Sequence, residues 1–125
     1  MIVGLGTDMV EIARIERSLE RFGERFAQRI FSAAEIQYCR ARKRPGESFA
    51  ARFAAKESAA KALGTGISRG VNWQEFEVSR ERGGRPRLIL RGRAAELAAD
   101  LGVKSIALSL THTRDLALAF VVLEG

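Results

Sequence analysis

The sequence predicts an α+β fold in which an antiparallel sheet packs around one long central helix, with smaller helices beside it. Three observations predict this class. An alanine-rich stretch from Phe49 to Gly66 is typical of a buried helix. Two alternating segments flank Gly83-Gly84, and two apolar segments flank a turn at residues 113–115, each typical of a hairpin. We expect a single domain over residues 1–125, because this length suffices for one core.

The chain begins with a predicted strand from Ile2 to Val10. Gly4 and Gly6 in this strand indicate that another backbone approaches closely. Asp8 lies near the end of the strand, shortly before a helix. An Asp there is most often an N-cap or turn residue, whereas a carboxylate on rigid backbone also suits a hard cation such as Mg²⁺. The residues alone leave both interpretations open.

The first helix carries two stripes of side chains. Apolar residues recur at helical spacing and should form the buried face: Ile12, Ile15, Leu19 and Phe22. A basic stripe recurs at nearly the same spacing: Arg14, Arg17, Arg21 and Arg25. The basic stripe is either a solvated face relieved by neighbouring glutamates or a docking ridge for an acidic helix.

The segment from Phe26 to Arg42 predicts a helical region in two pieces, with Ser32 as the N-cap of the second. Glu35, three residues beyond Ser32, completes a capping box. The basic run from Arg40 to Arg44 follows and ends at a Pro45-Gly46 turn. This run is either a solvated loop or a flexible cationic rim for a phosphate.

The central helix should end at Gly64, because a glycine there can adopt the left-handed conformation that closes a helix. The helix carries charged side chains although its surface is otherwise apolar, and desolvated charges need partners. Glu57 and Lys61, one turn apart, either pair with each other or face a charged ligand. The turn Gly64-Thr65-Gly66 should let backbone amides approach such a ligand closely.

After Gly66 the pattern changes to alternation. A strand from Trp73 to Arg80 and a strand from Arg87 to Arg91, which Pro86 precedes, predict an antiparallel hairpin. A short helix from Arg93 to Leu101 follows and ends at Gly102.

The last hairpin joins strands at Lys104–Thr111 and Leu116–Leu123. His112 falls on the apolar side, at the end of the first of these strands. A lone histidine there is either a hydrogen-bonded structural residue or a ligand to something bound at the strand end.

The composition limits the class of partner. A formal net charge of +6 favours an anionic partner. No aromatic–basic alternation or nucleic-acid-binding motif accompanies this charge. No apolar run approaches the about 20 residues of a membrane span, and the N-terminus does not resemble a signal peptide. We therefore expect no nucleic acid or membrane as partner. Cys39, the single cysteine, has no internal disulfide partner, so we expect a cytoplasmic protein.

Four stretches, in the same order, resemble bacterial holo-acyl-carrier-protein synthases, which are phosphopantetheinyl transferases. They are GLGTDMVEIARIER at 4–17, RFAAKESAAKALGTG at 52–66, GRPRLILRG at 84–92 and LSLTHTRDLALAFVVLE at 108–124. The second stretch is highly specific, because K-E-x-x-x-K followed by G-T-G rarely occurs by chance. The resemblance covers nearly the whole chain.

The resemblance implies a Mg²⁺-dependent transfer of the 4′-phosphopantetheine group of coenzyme A to a serine of apo acyl carrier protein. The by-product is 3′,5′-ADP, and the family supports fatty acid biosynthesis. Displacement at phosphorus needs charge neutralisation and positioning more than covalent catalysis. By resemblance, Asp8 and Glu57 bind Mg²⁺. Lys61 contacts the pyrophosphate and stabilises or protonates the leaving phosphate.

The resemblance also implies a set of coenzyme-binding residues: Lys43, Arg44, Arg52, Lys56, Gly64, Thr65, Gly66, Pro86, His112 and Thr113. Lys43 and Arg44 suit the 3′-phosphate, and Pro86 lies beside the adenine. His112 and Thr113 reach coenzyme phosphate from a neighbouring subunit, because the family forms a homotrimer with active sites between subunits. Two positions depart from the family pattern: Thr111 replaces a serine and Ser58 replaces a commoner alanine.

Under the same resemblance the basic stripe gains a partner, because carrier proteins present an acidic helix beside the modified serine.

Two other functions compete with the enzyme. A basic nucleic-acid-binding module leaves Asp8 and Glu57 unexplained, since carboxylates without a metal repel a phosphate backbone. A non-catalytic coenzyme A-binding protein has no need of Asp8, Glu57 and Lys61 together.

Overall fold

Helical segments and antiparallel hairpins make up the chain, which the computed structural model describes over residues 1–80 and 83–125. Its elements are β1 (Ile2–Glu11), α1 (Ile12–Phe22), α2 (Glu24–Ile30), α3 (Ala33–Arg40), α4 (Pro45–Ala62), a 3-10 helix (Trp73–Glu75), β2 (Phe76–Arg80), β3 (Pro86–Leu90), α5 (Gly92–Asp100), β4 (Ser105–His112) and β5 (Leu116–Glu124). Within the described ranges, no helix has the length and apolarity needed to cross a membrane.

The described strands form two antiparallel sheets. β5 lies between β1 and β4, so Ala119 is paired with Asp8 on one side and with Leu110 on the other. β2 and β3 form a separate two-stranded sheet. The α+β class and the antiparallel pairing are confirmed, but the predicted sheet is divided in two. The predicted hairpin loop between β2 and β3 includes residues 81 and 82, which lie outside the described residues.

The capping box predicted at Ser32 is present, and it ties β2 to α3. The Ser32 N–H donates to Glu35 Oε1 at 2.8 Å, and the Glu35 N–H donates to Ser32 Oγ at 3.2 Å. Glu35 is buried, and its Oε2 accepts the Val78 N–H at 2.9 Å. This contact joins β2 to α3. Asn72 caps the 3-10 helix by accepting the Gln74 N–H, so β2 begins at Phe76 rather than at the predicted Trp73.

Helix α4 lies against β1 and β5 on one face of the three-stranded sheet. Gly4 and Gly6 permit this contact. A Cβ atom on Gly4 would lie 2.2 Å from the Ala62 carbonyl oxygen, and one on Gly6 would lie 1.9 Å from that of Ser58. The predicted close approach is confirmed. The two backbones are in contact, so side chains of β1 lie near those of the second half of α4.

Helix α4 begins at Pro45 rather than at the predicted Phe49. The Pro45-Gly46 pair forms the first helical turn instead of a loop turn. Proline suits the first helical position, because its fixed φ is helical and its missing N–H has no intrahelical partner there. The helix ends as predicted, with Gly64 at a φ of 84°.

The basic stripe is divided between two helices. Gly23, at a φ of 56°, ends α1 and precedes α2. Arg25 therefore lies on α2, whereas the other three arginines of the stripe lie on α1. Ile12 and Ile15 are buried as predicted, but Phe22 is 51% exposed. The glycine redirects the chain before the apolar spacing can place Phe22 in the core.

The outer face of the three-stranded sheet, opposite α4, is apolar and exposed. Leu5, Met9 and Phe120 are 56%, 60% and 40% exposed on it. Alternate residues of the same strands, such as Val10 and Ala119, are buried under α4. Exposed large apolar side chains on one face of a sheet are typical of a surface that another protein covers.

Candidate active site

Asp8, Glu57 and Lys61 lie together where β1 meets α4. The Lys61 ammonium Nζ lies 3.1 Å from Asp8 Oδ1 and donates to the Thr7 carbonyl oxygen, also at 3.1 Å. Lys61 therefore pairs with β1 rather than with Glu57 on its own helix. Half of the Lys61 side chain, 51%, is exposed, so the ammonium remains accessible to a ligand.

Burial and a neighbouring negative charge both act on the carboxyl group of Glu57. Partial burial and then the charge of Asp8 raise the pKa of Glu57 above its usual range, while Lys61 and Arg14 oppose the shift. Desolvation and a like charge both disfavour the ionised form. Asp8 and Glu57 are therefore close enough for their charges to interact, and the partial burial of Glu57 adds to the cost of ionising it.

This pair of carboxylates fits a hard divalent cation. Carboxylate oxygens are the ligands that Mg²⁺ prefers, and a cation beside both groups removes their mutual repulsion. Among the described residues, no cluster of three or more His, Cys, Asp or Glu side chains has the arrangement of a metal site. Asp8 and Glu57 would therefore leave most of an octahedral shell to water and ligand oxygens.

The basic stripe begins beside this pair. Arg14 is close enough to Glu57 to lower its pKa, and the Arg14 guanidinium lies 5.6 Å from the centroid of the Phe53 ring. Arg14, Arg17 and Arg21 line an open groove along α1. The structure thus places three of the four predicted docking arginines on one surface that leads to the acidic pair.

A second group of predicted residues lines a cleft of about 500 Å³ beside the start of α4. Its basic side chains are Arg42, Lys43, Arg44, Arg52, Arg80 and His112. Tyr38 and Thr111 also line it. We call this the basic cleft. A concave surface with this charge attracts polyanions such as phosphates.

Arg52 lies deep in the basic cleft. The residue is 4% exposed, and its guanidinium carbon lies 4.1 Å from the centroid of the Tyr38 ring. Its Nε atom is buried without a hydrogen-bond partner among the described residues. A buried polar group without a partner is uncommon and is consistent with a ligand that completes the site.

His112 and Thr113 lie at the end of β4, at the rim of the basic cleft. The His112 side chain is 52% exposed, and its Nε2 lies 3.2 Å from Glu47 Oε1. Thr113 Oγ1 accepts the N–H groups of Asp115 at 3.3 Å and Leu116 at 3.1 Å. The Thr113 hydroxyl therefore retains its proton as a donor.

The prediction that Lys56 contacts the coenzyme disagrees with the structure. Lys56 is fully buried, and its Nζ lies 2.8 Å from Glu35 Oε1 and donates to the carbonyl oxygens of Trp73 and Phe76. These three acceptors use all three ammonium protons. Burial lowers the pKa of Lys56, although Glu35 opposes the shift. Lys56 joins α4 to α3 and β2 instead.

The amides of the Gly64-Thr65-Gly66 turn are also used within the protein. The N–H of Gly64 donates to the Lys61 carbonyl oxygen, and those of Thr65 and Gly66 donate to that of Ala60. These three amides therefore already have acceptors within the protein in this conformation. A Cβ atom at Gly64 or Gly66 would meet nothing within 4 Å, so the turn is still open to close approach.

Pro86 begins β3 and is paired with Arg80 across the hairpin. Because Arg80 lines the basic cleft, the predicted adenine neighbour lies near the same cleft. Arg52 of the basic cleft and Lys61 beside the acidic pair project from different faces of α4. At about 100° per residue, the step from Arg52 to Lys61 is about two and a half turns, which places the two side chains on opposite faces.

The sequence reasoning missed Tyr38, Glu47 and Arg80 as residues of the cleft. Arg80 could have been identified from the sequence, because its predicted strand pairs with the segment that begins at Pro86. Glu47 follows the basic run closely, and an acid in that position is unusual for a phosphate rim. No feature of the sequence marked Tyr38 as a cleft residue, since only the tertiary structure brings its ring under Arg52.

The chain is similar to known proteins over nearly its whole length. The model of the 4′-phosphopantetheinyl transferase superfamily matches residues 4–121 of the chain. The holo-[acyl-carrier-protein] synthase of Koribacter versatilis is 52% identical over 124 residues, 99% of each chain.

Solved structures are similar over the whole fold. The crystal structure of holo-[acyl-carrier-protein] synthase from Neisseria meningitidis has a TM-score of 0.89 and 37% identity, with 100% of both chains covered. The Helicobacter pylori enzyme in complex with coenzyme A has a TM-score of 0.84 and 32% identity, with 96% of this chain and 99% of that one covered.

Proposed function

The chain belongs to the 4′-phosphopantetheinyl transferase superfamily, among the holo-[acyl-carrier-protein] synthases, and we propose on this basis that it transfers 4′-phosphopantetheine from coenzyme A to apo acyl carrier protein. The observation that carries the proposal is the accessible Lys61 ammonium, 3.1 Å from Asp8 and on the helix of Glu57. This arrangement places a cation and two carboxylates where a pyrophosphate and its counter-ion would be neutralised together.

The reaction is a displacement at phosphorus. The serine hydroxyl oxygen of the carrier forms a bond to the phosphorus that bears pantetheine. The bond from that phosphorus to the bridging oxygen breaks, and the electron pair leaves with 3′,5′-ADP. The serine proton is transferred to solvent or to the leaving phosphate. Such a reaction needs positioning and charge stabilisation from the protein.

Asp8 and Glu57 would hold a Mg²⁺ ion. The ion, when bound, neutralises charge on the pyrophosphate oxygens. Lys61 contributes a second positive charge from the protein and can donate a proton to the leaving phosphate oxygen. Its contact with Asp8 keeps the ammonium in place, because Asp8 lies on a strand fixed directly against α4.

The basic cleft would bind the nucleotide end of coenzyme A. Lys43 and Arg44 supply positive charge for phosphate at the rim, His112 supplies a ring N–H donor there, and Arg52 supplies charge in the depth. Pro86 would lie beside the adenine, and Thr113 would donate its hydroxyl proton to a phosphate oxygen. Four of the coenzyme-binding residues that the resemblance implied line this one cleft: Lys43, Arg44, Arg52 and His112.

We further propose a homotrimer in which the acidic pair of one subunit meets the basic cleft of its neighbour. Two observations support it. Arg52 of the basic cleft and Lys61 beside the acidic pair project from opposite faces of α4, which favours a ligand that is shared between two protomers. The exposed apolar face that includes Leu5, Met9 and Phe120 offers a surface for the contact between copies. The assembly proposed here would act in the cytoplasm, on carriers of fatty acid biosynthesis.

The test is a direct transfer assay. The protein is incubated with coenzyme A, Mg²⁺ and an apo acyl carrier protein, and the carrier is weighed by mass spectrometry. The proposal expects a gain of one phosphopantetheine group that disappears when the carrier serine is replaced by alanine. An unmodified carrier under these conditions, with a folded protein, would overturn the proposal.

A further inference from the structure

Glu47 is the one carboxylate among the described residues that line the basic cleft. Both of its oxygens are engaged. Oε1 lies 3.2 Å from His112 Nε2, and Oε2 lies 3.1 Å from Arg44 Nη1. Its side chain is 22% exposed. A single carboxylate thus contacts two of the basic side chains that the proposed function assigns to phosphate.

A structural role at the helix start explains only part of this arrangement. Glu47 lies in the first turn of α4, where a negative charge complements the helix dipole. This accounts for an acid in the turn and for its contact with Arg44. It does not account for the contact with His112, which lies on β4. The carboxylate occupies the place where a helix N-terminus, an arginine and a histidine converge, and such a place attracts an anion.

We propose that Glu47 is an internal competitor for the 3′-phosphate of the coenzyme and of the 3′,5′-ADP product. This inference rests on the proposed function. A phosphate that enters the cleft must take Arg44 and His112 from the carboxylate. The phosphate carries up to two negative charges and displaces a single one, so binding still occurs. After transfer, the carboxylate returns to the same two partners and favours release of the product.

A competing carboxylate and a positioning carboxylate have opposite effects on the affinity for 3′,5′-ADP. Removal of the Glu47 charge should tighten the binding of 3′,5′-ADP, because competition and repulsion both end. If Glu47 merely holds Arg44 and His112 in place, its removal should weaken the same binding.

The experiment measures the Kd of 3′,5′-ADP and of 5′-AMP, which lacks the 3′-phosphate, by calorimetry with Mg²⁺ present. Glu47→Gln should tighten 3′,5′-ADP binding by about two- to fivefold, the size expected for loss of one partly exposed ion-pair competitor. The 5′-AMP affinity should change less than about twofold. Glu96→Gln, which removes an exposed carboxylate on α5, is the control for net charge and should change neither value.

Glu47→Asp provides a second variant that keeps the charge at the helix start but shortens its reach to His112. It should tighten 3′,5′-ADP binding by a smaller factor. Unchanged or weaker 3′,5′-ADP binding in both folded variants overturns the inference. Phosphopantetheine transfer by the wild-type protein in the same preparation keeps the proposed function intact in that case. Failure of the wild-type protein to transfer the group or to bind 3′,5′-ADP would overturn both.

Discussion

Gly6 of β1 lies directly beneath the Ser58 carbonyl of α4, so closely that a Cβ atom on Gly6 would be 1.9 Å from that oxygen. The obstacle is backbone, which does not rotate away as a side chain does. This contact sets the distance between the strand that carries Asp8 and the helix that carries Glu57 and Lys61. The active-site geometry therefore depends on a position with no side chain.

Gly6→Ala should destabilise the protein by about 1–3 kcal/mol or more, because it forces two packed backbones apart. Chemical denaturation measures the loss. The folded fraction should also lose transferase activity, since Asp8 moves away from Lys61. Ser109→Ala, at an exposed position of β4 in the same sheet, is the control and should stay within about 0.5 kcal/mol of wild type. A Gly6→Ala protein with wild-type stability would contradict the close packing.

Glu57→Gln should separate stability from activity. The pKa of Glu57 is raised by burial and by Asp8, so the fold favours the protonated form. The resulting stabilisation is complete below the unfolded pKa of about 4.5 and is lost as pH rises through the folded pKa. At neutral pH without Mg²⁺, Glu57→Gln should equal or exceed wild type in Tm, and it should lose this part of the pH dependence.

The same variant should lose transfer activity by about 10²-fold or more, because charge stabilisation at the pyrophosphate is removed. Mg²⁺ should raise the Tm of the wild-type protein and not that of Glu57→Gln, since only a ligand of the folded state stabilises it. Near-normal Mg²⁺-dependent turnover in Glu57→Gln would exclude this residue from the metal site.

Lys56→Met should lower the free energy of unfolding by about 3–5 kcal/mol, because it leaves the buried Glu35 carboxylate without its partner. Adding Glu35→Gln to this variant should restore part of the loss. The affinity of the folded Lys56→Met protein for coenzyme A should stay within about twofold of wild type, as Lys56 does not reach the basic cleft. A stable variant with coenzyme affinity lost more than tenfold would instead support a ligand role for Lys56.

Arg14→Ala combined with Arg21→Ala should raise the apparent KM for the carrier protein and flatten its salt dependence. Exposed charges of this kind act mainly on association, and salt shortens their range from about 10 Å at 0.1 M to about 3 Å at 1 M. Coenzyme A affinity should hardly change. Arg69→Ala with Lys104→Ala removes two exposed positive charges elsewhere and serves as the control. Wild-type carrier kinetics at low salt would mean that the carrier docks on another surface.

Mixed assemblies should test whether the two halves of the site come from different subunits. Asp8→Asn removes the acidic half, and His112→Ala removes part of the basic half. Each variant alone should be impaired, Asp8→Asn more severely. Co-expressed and purified as one assembly, the pair should recover activity, because some interfaces then combine an intact acidic pair with an intact basic cleft. Activity no higher than the average of the two separate variants would place both halves in one protomer.

The sequence alone predicted much of the fold, because several of its patterns act over short distances. The capping box at Ser32 and Glu35 and the helix end at Gly64 depend on residues a few positions apart, and the structure contains both. Gly4 and Gly6 also indicated a close backbone contact correctly. Asp8, Glu57 and Lys61 were predicted as one set by resemblance, and the structure brings them together.

Only the tertiary structure decided which face of α4 serves which purpose. The helix is apolar nearly all round, so its sequence has no polar face by which Lys56 and Lys61 could be told apart. The packing of α3 and β2 buries Lys56 against Glu35, while β1 brings Asp8 to Lys61. The contact between Glu47 and His112 likewise joins α4 to a strand far along the chain. Local patterns determine where helices begin and end, whereas the partner of a side chain depends on long-range packing.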